Sequence, residues 1–292
     1  MNRRTFLGAV GAAGLLKGSW EVALRAASIN AIGLQLYTVR TEMQKDVEAT
    51  LAKVAATGYK EVEFAGYFDR PPKEVAAILK RHGLTSPATH IDYALLGDKF
   101  PQVVEDSHTI GHQFIVNPFL SEDLRKQPDV WKRVAETFNR AGAVSKKAGI
   151  QFAYHNHHFE FVPVDGKLPY DILLAECDPG LVKMEMDLCW ITAAGQDPLV
   201  YFQRYPGRFP MVHVKGLSKR PPLPAPGAAA LPFDQIIPLI SDVGHDDVID
   251  WKRIFAKASQ AGITHYFVEH DQPKAPFDSI KTSYEYLKAL RF

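Results

Sequence analysis

Short apolar, β-rich segments alternate with amphipathic segments of helical period along almost the whole chain. Hydrophobic runs of strand length predict strands, and apolar positions three and four residues apart predict helices. The pattern predicts eight strands, at residues 32–37, 61–65, 86–92, 114–117, 151–157, 182–189, 210–215 and 266–270. The predicted helices span residues 46–57, 71–83, 103–111, 129–148, 170–176, 197–205, 251–261 and 276–290.

The strict alternation of strand and helix predicts a parallel sheet. Eight such units in residues 28–292 favour an α/β protein with a single (β/α)8 TIM barrel over an open doubly wound sheet. No glycine-rich phosphate-binding sequence follows the first predicted strand, which disfavours a dinucleotide-binding fold. Residues 217–232 interrupt the rhythm with a segment rich in Pro, Ala and Gly. This insertion is interpreted either as a lid or substrate rim, or as a passive tether.

The N-terminus has a different character from the rest of the chain. Arg3-Arg4 is followed by a short, moderately apolar run at residues 8–16 and by small residues up to Ala27. This arrangement predicts a twin-arginine export signal at residues 1–27 and a periplasmic or secreted protein. The apolar run is too short for a permanent membrane anchor, so no anchor is expected after cleavage. An amphipathic N-terminal helix on a cytoplasmic protein is the alternative.

Composition narrows the partners of the protein. The 292 residues are 46% hydrophobic and 23% charged, and the formal net charge is +1. Such a balance provides no general electrostatic field for binding nucleic acid or an anionic membrane. Cys177 and Cys189 lie near opposite ends of one predicted strand, too far apart to bridge, so two free thiols are expected. A homo-oligomer is compatible with the sequence.

Side chains able to bind a metal fall at the ends of the last four predicted strands. In a barrel, the C-terminal ends of all strands converge on one mouth. Glu160, Asp187, His213 and Glu269 each lie at or just beyond such an end. Two Glu, one Asp and one His form a hard-to-borderline ligand set, which suits Mn²⁺, with Mg²⁺, Co²⁺ or Zn²⁺ as alternatives. The cluster at residues 154–158 leaves a histidine-rich zinc site as a rival.

Strand alternation sorts further candidates by face. Lys215 shares the inward face with His213, and His155 shares a face with His157. Polar groups with an aromatic wall suit a hydroxylated small molecule such as a sugar. The predicted substrate-binding residues, in chain order, are Gln35, Glu63, His90, Asn117, His155 and Trp190. Each of them could instead belong to a buried, hydrogen-bonded polar layer of the barrel.

Five segments together resemble the sugar phosphate isomerase/epimerase superfamily, which has a xylose-isomerase-like TIM barrel. They are residues 154–160, 186–190, 194–198, 213–215 and 268–271. The resemblance covers essentially the whole chain after the predicted signal. It implies a metal held by Glu160, Asp187, His213 and Glu269. In better-known relatives the first glutamate lies within the fifth strand, so His155 or His157 is an alternative ligand, with Glu160 then contacting the substrate.

The resemblance implies a metal-dependent isomerase or epimerase acting on a ketose or related sugar. The metal would polarise the carbonyl, and Glu160 and Glu269 would remove and return the α-proton through an enediolate. His157 is the reserve base, and Lys215 would neutralise the developing oxyanion. The alternative is a lyase or hydratase, in which the same proton abstraction from a keto-glycoside expels a β-leaving group. A non-catalytic exported sugar-binding protein and an endonuclease-like phosphodiesterase are further readings.

Overall fold

Eight parallel strands form a closed barrel in the computed structural model, which describes residues 27–292. The strands are β1 (Gly33–Gln35), β2 (Glu61–Phe64), β3 (Thr85–His90), β4 (Phe114–Asn117), β5 (Gln151–His155), β6 (Val182–Asp187), β7 (Met211–Val214), β8 (Gly216–Leu217), β9 (Ile240–Ser241) and β10 (His265–Val268). All except β8 and β9 belong to the barrel, in chain order, and β10 closes it against β1. The predicted (β/α)8 barrel is confirmed. The predicted export signal lies outside the described residues, apart from Ala27.

Helices surround the barrel. They are α1 (Arg40–Lys45), α2 (Val47–Thr57), α3 (Pro72–Arg81), α4 (Phe100–Ile110), α5 (Glu122–Arg125), α6 (Val130–Lys147), α7 (Pro169–Glu176), α8 (Leu188–Ala193), α9 (Pro198–Arg204), α10 (Phe233–Ile236), α11 (Trp251–Phe255), α12 (Ala258–Ala261) and α13 (Pro276–Ala289). The helix predicted over 251–261 is divided into α11 and α12. No helix within residues 27–292 has both the length and the apolar composition needed to cross a bilayer.

The sixth strand is shorter than predicted because a helix begins immediately after it. Oδ1 of Asp187 accepts a hydrogen bond from the backbone N–H of Trp190 at 2.7 Å and thereby caps α8. An aspartate at this position satisfies an N–H that the first helical turn leaves without a partner. Residues 188 and 189 are therefore helical, and Cys189 lies in α8. Cys177 and Cys189 are both buried free thiols, as predicted.

The barrel interior is filled at its lower end by apolar side chains. Ala88, Val116, Ala153, Met211 and Phe267 form a fully buried cluster there. Gly33 on β1 leaves the space for the Phe267 ring, since a Cβ at this position would lie 2.5 Å from Cδ1 of the ring. A second, larger core fills the space between the strands and the helices. Because apolar packing closes the lower end, any site inside the barrel opens only at the mouth.

The insertion after β7 returns to the mouth. β8 pairs antiparallel with β9, and residues 218–232 form an irregular loop between β8 and α10. Nε2 of His158 lies 2.7 Å from the carbonyl oxygen of Leu231 near the end of this loop. The first residue of α10, Phe233, packs edge-on against the His157 ring, with centroids 5.5 Å apart. The end of the insertion thus contributes to the rim of the mouth.

Candidate active site at the barrel mouth

A deep layer of polar side chains lies directly above the apolar floor of the barrel. Glu185 is its centre: its Oε2 lies 2.8 Å from Nε2 of His90, 3.1 Å from Nδ1 of His155 and 3.2 Å from Nε2 of His213. Glu63 lies beside it, with Oε2 2.7 Å from the same His213 nitrogen. The β-strand pleat explains the arrangement, because these residues all point inward from neighbouring strands.

An upper layer lies nearer the opening. Nδ1 of His213 lies 2.7 Å from Oε2 of Glu269. Nζ of Lys215 lies 2.9 Å from Oε2 of Glu269, 3.1 Å from Oδ2 of Asp187 and 3.1 Å from Oδ2 of Asp271. His213 therefore joins the two layers, with one ring nitrogen in each. A buried lysine surrounded by three carboxylates leaves the upper layer with excess negative charge.

Two sets of side chains are spaced to hold a cation. Asp187, His213 and Glu269 form one, and His90, His155, Glu185 and His213 form the other; within each, the candidate ligand atoms lie within 4.8 Å of one another. Two buried oxygens of the deep layer, Glu63 Oε1 and Glu185 Oε1, have no hydrogen-bond donor among residues 27–292. In the upper layer, Asp187 Oδ2 and Asp271 Oδ2 share the single ammonium of Lys215. Buried carboxylate oxygens without donors are costly unless a cation neutralises them. The residues present therefore fit a divalent metal.

The mutual contacts shift the pKa values of the histidines in opposite directions. Burial alone would lower the pKa of His90, but Glu63 and Glu185 raise it to about 9. Burial and the neighbouring His213 lower the pKa of His155 to about 3. Burial also lowers the pKa of His157 well below its usual value, together with His155 and Lys215. His155 and His157 are consequently neutral near pH 7, the form in which imidazole binds metals or accepts a proton.

Glu160 is not brought into either cation-binding set. It lies in a short 3-10 turn, Phe159–Phe161, after β5. Its Oε1 accepts a hydrogen bond from the Tyr154 hydroxyl, and its Oε2 accepts one from the backbone N–H of His157 at 2.9 Å. Burial raises the pKa of Glu160 to about 7, although the Tyr154 hydrogen bond opposes the shift. Glu160 holds the loop that carries His157.

The other predicted residues divide between the cavity and its walls. Gln35 belongs to the deep layer, where its Nε2 donates to Glu63 Oε2 at 2.7 Å. His157 lines the cavity, and its buried Nδ1 has no hydrogen-bond partner within residues 27–292. Asn117 donates from its Nδ2 to the backbone carbonyl of Ile91, which follows the neighbouring strand β3, at 3.1 Å. Trp190 is buried behind His157, with ring centroids 5.4 Å apart, so it supports the wall.

The sequence interpretation missed Glu185, Asp271 and Phe233. Glu185 shares the inward face of β6 with Asp187, so strand alternation could have indicated it. Asp271 lies beyond the end of β10, where strand alternation does not apply; its only signal was its place in residues 268–271, one of the segments that carry the family resemblance. Phe233 carried no comparable signal, because its position depends on the path of the irregular loop before it.

The chain belongs to the xylose isomerase-like TIM barrel family, whose sequence pattern it matches over residues 51–290. Inosose dehydratase from Lacticaseibacillus casei is 24% identical over 283 residues, covering 85% of this chain and 91% of that protein. A sugar phosphate isomerase/epimerase from Parabacteroides distasonis superposes with a TM-score of 0.71 at 26% identity, covering 92% of this chain and 96% of the other. The IOLI protein, which binds a zinc atom, has a TM-score of 0.66 at 14% identity, covering 87% and 95%, which shows a shared fold.

Proposed function

We propose that the protein is a metal-dependent lyase of the dehydratase type, acting on a polyhydroxylated ketone. The proton α to the carbonyl is removed, and an oxygen substituent on the β-carbon is expelled. This was the alternative reading of the sequence. The curated relatives named inosose dehydratase support it, and so do the different positions of Glu160 and Glu269 relative to the cavity.

That position is the observation on which the proposal depends. An epimerase that works by proton exchange needs two bases on opposite faces of the substrate. Glu269 faces the cavity, whereas Glu160 is held by Tyr154 and by the backbone of His157 and does not line the cavity. A syn elimination needs only one carboxylate, which takes the α-proton and delivers it to the leaving oxygen.

Glu269 is arranged for this role. Its Oε2 is held by His213 and Lys215, and among the hydrogen bonds of residues 27–292 none engages its Oε1. When bound to Asp187, His213 and Glu269, a divalent cation would polarise the substrate carbonyl and favour loss of the α-proton. We propose Mn²⁺ as the native ion, with Mg²⁺, Co²⁺ and Zn²⁺ as alternatives, because carboxylates dominate the ligand set.

Lys215 and His157 complete the proposed machinery. The carboxylates of Asp187, Asp271 and Glu269 outweigh the effect of burial and raise the pKa of Lys215 well above its usual value, so it stays protonated. It stabilises negative charge on the carbonyl oxygen. His157 is neutral and lines the cavity, so its ring can accept a hydrogen bond from a substrate hydroxyl. In the elimination, the C–H and C–O bonds break, a C=C bond forms, and the leaving group departs as water or an alcohol without any oxidant.

The second candidate is a sugar isomerase or epimerase. The structural similarity to two Parabacteroides distasonis sugar phosphate isomerases/epimerases, at 26% and 25% identity, favours it. In that reaction the proton returns to carbon, so no β-substituent is lost. Glu160 would have to leave Tyr154 and turn into the cavity.

Product analysis distinguishes the two reactions. The purified protein is first analysed for bound metal, then incubated in D₂O with a panel of ketoses and inososes. Elimination predicts an unsaturated ketone and loss of an oxygen substituent; epimerisation predicts deuterium at the α-carbon with all oxygens retained. Full turnover after exhaustive chelation would contradict both readings, and deuterium exchange without elimination would contradict the lyase.

A further inference from the structure

The cavity at the barrel mouth extends well beyond the carboxylates and histidines. Its volume is about 1190 Å³, whereas pockets for drug-sized ligands span about 300–1,000 Å³. His90, His155, Lys215 and Glu269 line only its inner end. One hydroxylated ring bound there would leave much of the volume unfilled.

The rest of the cavity is lined mainly by apolar side chains, in contrast to the charged inner end. An apolar arm, defined by Tyr93, Leu95, Val103, Phe119 and Leu124, lies over the C-terminal ends of β3 and β4. Its walls come from three separate parts of the chain: the segment after β3, helix α4, and the segment from residue 118 to α5. Phe119 is 41% exposed although it lies beside the site. Convergent aromatic and aliphatic side chains that remain accessible gain free energy when an apolar group covers them.

Polar groups line the cavity beside the arm as well: Asp92 lies in the segment after β3, and Ser121 lies in the segment before α5. Lys99, Gln102 and Asp106 also line the cavity, at the start of α4 or along it. A second sugar ring would need hydrogen-bond partners around its whole circumference, which Leu95, Val103 and Leu124 do not provide. An aromatic ring with polar substituents at its edges matches both the apolar walls and the polar groups beside them.

We propose that the substrate is a glycoside with an aromatic aglycone, which binds in the apolar arm while the sugar ring lies against the carboxylates. The identity of the sugar ring as substrate rests on the proposed function. The aromatic aglycone rests on the shape and lining of the arm. The protein thus recognises two chemically distinct halves of one molecule.

The test measures binding of three probes to the metal-loaded full chain by isothermal titration calorimetry: phenyl β-D-glucoside, methyl β-D-glucoside and D-glucose. Burial of the phenyl ring is expected to make the phenyl glucoside bind about 10–100-fold more tightly than the methyl glucoside. Val103→Trp fills the arm and should bring this ratio close to one. Val144→Trp is the matched control, since Val144 lies on α6 and is 40% exposed outside the cavity; it should keep the ratio.

Leu124→Gln provides a second variant, which makes the arm polar at a partly buried position on the short helix α5 and should lower the ratio by about tenfold. Equal affinities for the phenyl and methyl glucosides in the wild type would overturn the inference, as would retention of the ratio by both arm variants. Deuterium exchange into an inosose without an aglycone is measured in parallel. Deuterium exchange without a preference for the phenyl glucoside would contradict the aglycone inference but not the proposed function. A preference for the phenyl glucoside without exchange or elimination on any ketone would contradict the proposed function but not the aglycone inference.

Discussion

Buried polar side chains have different hydrogen-bond partners at the two ends of the barrel. At the lower end, Arg208 donates to the backbone carbonyls of Val182, Leu174 and Cys177, at 3.1, 3.4 and 3.0 Å. At the mouth, carboxylates and histidines contact one another, and Glu63 Oε1 and Glu185 Oε1 have no donor in the described part of the chain. Side chains that satisfy the backbone stabilise the fold, whereas mutually crowded side chains with unpaired oxygens are typical of a site that binds something.

The largest expected effect separates the two glutamates at the mouth. Glu269→Gln should lower kcat by about 10²–10⁴-fold, because it removes the proposed general base while keeping the side-chain shape. Glu160→Gln should lower kcat by less than about tenfold, since Glu160 acts through the loop that carries His157. Steady-state kinetics on the identified ketone checks both values. An equal loss in the two variants would show that the enzyme uses two bases, as an epimerase does.

The next effect concerns the lower end. Arg208→Ala should reduce the free energy of unfolding by about 3 kcal/mol, because it leaves three buried carbonyls without their donor. Arg204→Ala is the matched control: Arg204 is half-exposed and pairs with Asp171 at 3.4 Å, so its loss should cost no more than about 0.5 kcal/mol. Denaturant titration measures both. Equal destabilisation by the two variants would show that the hydrogen bonds of Arg208 do not stabilise the lower end.

The smallest effect is a pH dependence at the lower end. His112 follows α4, its Nδ1 lies 2.7 Å from the carbonyl of Ser86, and burial lowers its pKa to about 4. In the unfolded chain a histidine takes up a proton below about pH 6.5, whereas folded His112 stays neutral down to about pH 4. The unfolded state therefore binds more protons in this window, and stability falls as pH falls through it, by at most about 3 kcal/mol.

The His112→Gln variant isolates this contribution. Glutamine can still donate to Ser86 but does not titrate, so the decline in unfolding free energy between pH 6.5 and pH 4 should become shallower. Chemical denaturation of both proteins at several pH values gives the two slopes. Identical slopes would show that the neutral state of His112 is not linked to folding.

The barrel was predictable because its signal is repeated eight times along the chain. Each strand and helix buries a regular apolar face, and eight units in strict alternation favour a closed parallel barrel over an open sheet. The convergence of Asp187, His213 and Glu269 was predictable as well, because a barrel brings strand ends together whatever lies between them. The orientation of Glu160 was not, since a 3-10 turn beyond β5 directs its carboxylate to Tyr154, and no residue pattern fixes the direction of that turn.

The apolar arm could not be predicted from the sequence for a related reason. Leu95, Val103 and Leu124 are ordinary helix or loop residues when taken singly, and only the packing of three separate segments makes them one surface. Glu185, by contrast, lies on an inward-facing position of β6 that alternation identifies. Residues on regular elements can thus be assigned from spacing, whereas residues on connecting segments need coordinates.

One oxygen of Asp187 accepts a hydrogen bond from the backbone, and the other faces Lys215 in the candidate cation site. Because Oδ1 caps α8, the rotamer of this side chain is already fixed when the chain folds, and an arriving ion meets a donor that has no freedom left to lose. The longer side chain of a glutamate would carry the same charge but would place its carboxylate elsewhere relative to the helix. A substitution at position 187 would therefore alter both the start of α8 and the candidate cation site.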